Sequence, residues 1–276
     1  MIESMPLEDE LGDVLEKALK LRSLPEEQLA ARSEVSLRKI KDAFDYRYDF
    51  TPDELIRLAK ALSLNEVGLS ALAGGQYPLP TVPVFSFVLR PYSLSLGTGK
   101  VNAYFVHHPG KKEGILFDTG YQPAEITNCL KKDELCPTAV FLTHADSDHI
   151  GGLPALQKAF PEMQVWGPRG EKTDKAVQEG DEISDFASGQ IRVFDTCGHA
   201  ERHFSYLVQG KGNHSVLIAG DLIFAGSLGG AFHCRHRLWE NFDRILRVLP
   251  AQTLIAPGHG PLTSVANERK FNPFSV

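Results

Sequence analysis

The chain has 276 residues, 42% hydrophobic and 23% charged, an ordinary globular composition with room for two domains. A net charge of −6 argues against a general polyanion binder, and no run approaches the roughly 20 apolar residues that a membrane helix needs. The first ten residues are acidic and lack the apolar stretch of a secretory signal, and the four cysteines (Cys129, Cys136, Cys197, Cys234) form no close CxxC pair, so a cytoplasmic, reduced protein without membrane attachment is expected.

Up to about residue 75 the pattern is that of short helices. Leu11, Val14, Leu15, Ala18 and Leu21 form an apolar stripe at helical spacing. Ser23-Leu24-Pro25-Glu26 reads as a capping box that opens a second helix, and residues 36–44 read as a third. Thr51-Pro52-Asp53-Glu54 supplies a cap, a Pro in the first turn and a Glu three after the cap, and Asn65 caps a fifth helix. Gly74-Gly75 with Pro78 and Pro80 then reads as a linker. The expected division is a helical domain over 1–75, a linker over 76–81 and a second domain over 82–276.

Five short helices in this order resemble the repressor-type helix-turn-helix domain. The similarity is carried by Gln28-Leu29-Ala30-Ala31-Arg32, then Val35-Ser36-Leu37-Arg38-Lys39-Ile40, then Leu58-Ala59-Lys60-Ala61-Leu62. The resemblance implies that the 36–44 helix enters the major groove, with Arg38, Lys39 and Lys41 as nucleic-acid contacts. The charge balance opposes this. Residues 1–75 hold 10 Lys and Arg against 15 Asp and Glu, and Asp42, Asp45 and Asp49 lie on or beside the reading helix. A module that covers substrate or forms dimers is the favoured reading.

The most informative segment is Thr143-His144-Ala145-Asp146-Ser147-Asp148-His149-Ile150-Gly151-Gly152. Two imidazoles and two carboxylates within six positions make a poor folding core and a good metal site. The apolar run 138–142 before it reads as a buried strand, and 152–160 after it reads as a helix, so the cluster sits in a strand-to-helix loop. Further strands are expected at 82–89, 101–106, 114–117, 191–194, 204–209, 215–219 and 253–256, with a helix at 239–249. Five strands end in a polar residue: Asp118, His144, His199 after Cys197-Gly198, Asp221 and His259. That pattern suggests convergence at one sheet edge.

The order Asp118-Thr119-Gly120, His144…Asp148-His149 with Gly151-Gly152, Gly198-His199, Gly220-Asp221, then Gly258-His259-Gly260 resembles the metallo-β-lactamase superfamily over roughly 82–265. The resemblance implies an α/β (α+β) fold, a four-layer αββα sandwich with metals at the open edge of its two sheets, here preceded by the small all-α domain. It implies that His144, Asp146 and His199 hold a first divalent ion and that Asp148, His149 and His259 hold a second. Asp221 would bridge the two, and Asp118 would support the ligands from behind. It further implies hydrolysis by a metal-held hydroxide, with Asp148 also orienting the nucleophile.

The superfamily usually has His where this chain has Asp146. A third carboxylate softens the metal's Lewis acidity and tilts preference from zinc toward manganese or iron. If Asp146 fails to reach, a single ion held by Asp148, His149, His259 and Asp221 is the alternative to the favoured binuclear site. His203 reads as a support beside the ligands, Cys197 as a packing residue, and Gly97-Thr98-Gly99-Lys100 as a flap or an ordinary hairpin turn. In members resembling glyoxalase II an Arg often follows Gly where this chain has Gly230, so His233, Arg235 and His236 are candidate contacts for an anionic small-molecule substrate. The expected activity is hydrolysis of an ester, lactone, thioester or phosphodiester. The alternatives are iron-dependent oxygen or sulfur chemistry on the same scaffold, or a DNA-binding regulator that senses a metal or metabolite. A homo-oligomer is compatible with the sequence.

Overall fold

The computed structural model describes residues 5–170, 173–186, 189–212 and 214–276; the first four residues of the acidic opening stretch lie outside it. Five helices come first: α1 (Leu11–Arg22), α2 (Glu26–Ser33), α3 (Leu37–Phe44), α4 (Pro52–Ala61) and α5 (Glu66–Ala73). Leu11, Val14, Leu15 and Ala18 of α1 are fully buried, so the stripe faces the core as its spacing predicts. Thr51 and Glu54 make the reciprocal capping box of α4, and Asn65 Oδ1 accepts from the amides of Val67 and Gly68 to cap α5. The box expected at Ser23 is different: Pro25 stands at the N-cap of α2 with no side-chain cap. Ser23 instead closes α1 in the left-handed conformation, and its hydroxyl receives the Arg235 guanidinium.

Two mixed sheets follow. The first contains β1 (Val88–Leu96), β2 (Gly99–His107), β3 (Glu113–Phe117), β4 (Cys136–Phe141), β5 (Gln164–Gly167) and β6 (Lys175–Ala176), in that spatial order. Between its strands run α6 (Glu125–Lys132), α7 (Ser147–Ile150) and α8 (Leu153–Ala159). The second is built from β7 (Glu182–Phe186), β8 (Gly189–Asp195), β9 (Phe204–Gln209) and β10 (Ser215–Gly220), with a two-stranded ribbon, β11 (Ile223–Phe224) and β12 (Ser227–Leu228), beyond it. Then come α9 (Arg235–Val248), β13 (Leu254–Pro257), β14 (Thr263–Ser264) and α10 (Val265–Phe271), and the second sheet has the order β14-β13-β10-β9-β8-β7.

The strand expected at 82–89 begins only at Val88 and runs on to Leu96. Pro80 and Pro83 remove ladder donors from the earlier stretch, and Val84 is 90% exposed with nothing to pack on. Pro91 is tolerated inside β1 because β1 is an edge strand, paired only with β2. Gly97 and Thr98 form the turn of that hairpin, with Leu96 opposite Gly99.

One apolar layer lies between the sheets and includes Phe117, Phe141, Val193, Tyr206 and Ile218. Leu116, Val140 and Leu142 pack outward from the first sheet on Ile126, Leu130 and Leu156 of α6 and α8. The outer face of the second sheet packs on α9, giving the αββα layering. That last cluster continues without a break into the five leading helices, from Leu217 and Phe242 to Leu11, Leu58 and Leu69. Polar ties reinforce it: Asn65 N–H donates to Pro273 O at 2.7 Å, and Lys17 donates to Leu228 O at 2.7 Å. Asp9 accepts from both Lys17 and Ser227. Buried Glu268 collects donors from Thr263, Asn272, the Gly226 amide and Tyr77, which binds the segment before β1 to α10.

Candidate metal centre

The polar strand ends meet because of strand direction. β3 runs parallel to β4 in one sheet and β10 parallel to β13 in the other, so Asp118, His144, Asp221 and His259 emerge at one edge of the sandwich. The single-turn helix α7 then brings Asp148 and His149 inward, and the β8–β9 loop brings His199.

Each imidazole is fixed through Nδ1, which turns Nε2 to the centre. His149 Nδ1 donates to Asp118 Oδ2 at 2.8 Å. Thr143 Oγ1 also donates to that oxygen at 2.8 Å, so His144 Nδ1, 2.9 Å from the same hydroxyl, is the donor to it. His199 Nδ1 donates to Gly230 O at 2.9 Å and His259 Nδ1 to Lys100 O at 2.8 Å. The base of the β1–β2 hairpin thus orients a candidate ligand. Buried Asp118 holds this position with a φ of 56°, strained for a non-glycine residue and located where three polar groups are held at once.

His144, His199 and Asp221 form one group whose donor atoms all lie within 4.8 Å of one another, and Asp148, His149 and His259 form a second. Asp221 joins the two, with carboxylate oxygens 3.4 Å from His149 Nε2, 3.5 Å from His199 Nε2 and 3.6 Å from His259 Nε2. Nε2 of His144 and of His149 and Oδ1 of Asp221 are buried and make no hydrogen bond. Three orphaned donor atoms aimed at one point, in an N/O set, fit divalent metal ions. Asp146 stands at the rim with its side chain 48% exposed, and its Oδ2 is 3.3 Å from His199 Nε2 and 3.7 Å from His144 Nε2.

Electrostatics agree with that fit. Burial alone raises the Asp221 carboxyl, yet the surrounding His149 and His259 hold it well below the usual range. Burial lowers His259, but Asp221 and Asp148 outweigh it and bring it up to about 9. Asp221 and Asp118 likewise raise His149 against burial, whereas burial and the neighbouring His149 hold His144 well below the ordinary imidazole value. His203 is also pushed down, to about 3, by burial and by His199. Its neutral ring accepts the Asp221 amide at Nε2 (3.0 Å) and is 2.8 Å from Thr196 Oγ1 at Nδ1. His203 therefore positions the backbone of Asp221.

Glycines set how closely the strand ends approach. A Cβ on Gly258 would lie 2.2 Å from Asp221 Oδ1 and 2.8 Å from His149 Cε1. Gly220, at φ 52°, would put one 2.7 Å from His203 Nε2.

Other candidates fall elsewhere. His233 is exposed beside the cluster, and its amide donates to Gly198 O and His199 O. Arg235 is turned to Ser23 and to the Lys20 carbonyl at the end of α1, and His236 lies 3.1 Å from Glu240 on α9. Neither reaches the donor cluster. Lys39 is held by Glu54 and Asp49, Lys41 lies 3.5 Å from Glu26, and Arg38 is 3.7 Å from Asp42. Sequence reasoning missed Thr143, Thr196 and Glu8. Glu8 Oε1 lies 3.9 Å from His259 Nδ1, and burial raises its carboxyl above the ordinary value. The two threonines show themselves only through their hydroxyl partners, and Glu8 sits in an acidic run with no distinguishing spacing.

The metallo-beta-lactamase superfamily pattern matches residues 96–259. Among curated proteins, the chain is 28% identical to the hydroxyacylglutathione hydrolase of Enterobacter sp. (strain 638), over 60% of this chain and 64% of that one. It is 31% identical to the enzyme of the same name from Citrobacter koseri, over 52% of this chain and 56% of that one. The chain thus spans only about half to two thirds of the length of these relatives. It is 28% identical to the probable metallo-hydrolase YqgX of Bacillus subtilis, over 66% of this chain and 95% of that one. Among solved structures, BLEG-1 B3 metallo-beta-lactamase superposes with a TM-score of 0.60 at 26% identity, covering 68% of this chain and all of that one. TTHA1623 in a di-iron-bound form gives 0.52 at 26%, covering 66% and 99%. The match over residues 96–259, on a two-sheet sandwich with its donor cluster at one edge, shows that the chain belongs to the metallo-beta-lactamase superfamily.

Proposed function

We propose that the protein is a metal-dependent hydrolase of acyl compounds, a thioester, ester or lactone, with two divalent ions held by His144, Asp146 and His199 on one side and Asp148, His149 and His259 on the other, bridged by Asp221. The observation that carries this reading is the convergence of buried His144 Nε2, His149 Nε2 and Asp221 Oδ1, none of which makes a hydrogen bond, between two three-residue donor groups. Bound divalent ions supply Lewis acidity, which lowers the pKa of water and polarises an acyl oxygen. The rest falls to the chain. Asp148, partly exposed and 3.4 Å from His259 Nε2, is placed to orient an incoming water and accept its proton. Asp118, Thr143 and His203 keep the imidazoles and Asp221 in one arrangement, so little reorganisation is needed during reaction. Relatives named hydroxyacylglutathione hydrolase favour a thioester, while Gly230 and the outward Arg235 and His236 leave no built anion clamp for a glutathione-type carboxylate.

Zinc is the first candidate ion. Three carboxylates in the donor set favour iron or manganese more than an all-histidine site would, and the solved relative in a di-iron-bound form is in keeping with this. In the same reading the leading helices serve as a packing and covering module and not as a DNA reader, since the three basic residues of α3 are already opposite carboxylates.

The test is turnover of a panel of thioesters, lactones, esters and phosphodiesters by protein loaded in turn with zinc, manganese and iron(II), with metal content measured in parallel. Turnover of an acyl substrate that is abolished by chelator and restored by metal is expected. Fully loaded protein that turns over no acyl member overturns the reading.

A further inference from the structure

The segment just ahead of α1 is held against the candidate metal centre by a set of specific contacts. Asp9 is buried and accepts from Lys17 and Ser227. Lys17 also donates to Leu228 O and stands 5.1 Å over the Phe224 ring, which meets His259 edge-on at 5.6 Å. The backbone of Glu8 lies against Gly260, where a Cβ would come within 3.0 Å of the Glu8 nitrogen. The ribbon β11–β12, α1 and the loop after β13 therefore fix residue 8 beside His259.

On this rigid backbone the Glu8 carboxylate makes no hydrogen bond to another described residue, and its side chain remains 38% exposed, 3.9 Å from His259 Nδ1. Asp9, its neighbour, is fully engaged, whereas Glu8 is preorganised and unspent. It stands about one imidazole's width from the Asp148–His259 side of the centre. Asp146 exposes its side chain at the opposite rim, beside His199. Three basic side chains of this region are turned elsewhere, Arg235 to Ser23, His236 to Glu240 and Lys17 to Asp9, while exposed Lys100 follows the same hairpin turn that orients His259. Asp146 and Glu8 thus put partly exposed carboxylates on two sides of the donor cluster.

We propose that Glu8 is a specificity-determining residue of the centre, a rim carboxylate that selects acyl substrates bearing an ammonium or other cationic group and disfavours anionic ones. This rests on the hydrolase reading above and adds the substrate class. In a hydrophobic pocket a single group discriminates weakly, whereas an ion opposite a partly desolvated carboxylate discriminates well.

The experiment uses the full chain, metal-loaded, as wild type, Glu8→Gln and Glu8→Lys. Three thioesters of one acyl skeleton carry a trimethylammonium group, no charge or a carboxylate. Three hydroxamates with the same groups serve as non-hydrolysed binding probes measured by calorimetry. Wild type is expected to prefer the cationic thioester in kcat/KM; Glu8→Gln lowers the cationic-to-anionic ratio at least tenfold and Glu8→Lys inverts it, with metal content measured for each variant. An unchanged ratio in both variants overturns the proposal. If no thioester is turned over, the thioester class drops out of the hydrolase reading, which the wider acyl panel decides separately. The hydroxamates then decide on Glu8: a cationic preference lost in Glu8→Gln sustains the role, and equal affinities in wild type and variant sink it.

Discussion

Asp118 stands 2.8 Å behind His149 and, through the Thr143 hydroxyl, also fixes His144, so one carboxylate outside the donor cluster orients a ligand candidate in each half of it. Asp118→Asn puts an amide N–H where an acceptor is required, either against His149 Nδ1–H or against Thr143. Metal affinity is expected to fall roughly 10- to 100-fold while the fold survives, as is usual when such a supporting group is lost. Competition with a chromogenic chelator measures it. Affinity within a factor of two of wild type would remove Asp118 from the centre.

Asp146 stands beside the first donor group, 3.3 Å from His199 Nε2, and is proposed as its third ligand. Asp146→His should tighten zinc binding and lower the preference for manganese, because a borderline imidazole replaces a hard oxygen. The readout is the zinc-to-manganese ratio bound at equilibrium from a mixed buffer. A ratio unaffected by both Asp146→His and Asp146→Ala would mean that this side chain binds no ion.

Gly258 lets β13 reach the centre. Gly258→Ala forces a methyl to within 2.2 Å of Asp221 Oδ1 and 2.8 Å of His149 Cε1 unless the strand end withdraws. Loss of at least one ion and of activity is expected, with thermal stability of the metal-free protein little changed. Normal metal content in the variant would show that the loop accommodates the methyl freely.

Glu268 is buried beneath α10, and burial raises it to about 7 despite donors from Thr263, Tyr77 and Asn272. Because the folded value lies above the ordinary 4.5, the folded chain holds this proton more tightly than the unfolded one. Its contribution is complete below about pH 4.5, declines as the pH rises to about 7 and is absent above that, a change on the order of 3 kcal/mol at about 1.4 kcal/mol per pKa unit. Glu268→Gln, which cannot ionise, should flatten that slope in urea unfolding between pH 5 and 8. An identical slope in the variant would assign the dependence to other groups.

The sandwich was legible in the sequence because its strands end in residues that a core does not use. Five apolar runs stopping at Asp118, His144, His199, Asp221 and His259 define both the layers and the edge where they converge. The helices were legible through Thr51, Asn65 and the Leu11–Ala18 stripe. The misread places have specific physical causes. Residues 82–89 form an apolar run like a buried strand, but Pro83 withholds a donor, and such a run alone carries no information about a partner. Ser23 has the chemistry of a cap at either end of a helix, and only the left-handed turn at that position decides which. Arg235 and His236 follow Gly230 closely in sequence, yet the start of α9 turns them to Ser23 and Glu240. Glu8 was invisible because its place beside His259 depends on a contact across almost the whole chain.

The same long contact has a consequence for biosynthesis. Asp9 and Ser227 are separated by 218 positions, and Lys17 and Leu228 by 211. At synthesis rates of about 5–20 residues per second, the five leading helices emerge ten seconds or more before Ser227 and Leu228 do. The leading helices are therefore made well before the contacts that tie them to β12 can form.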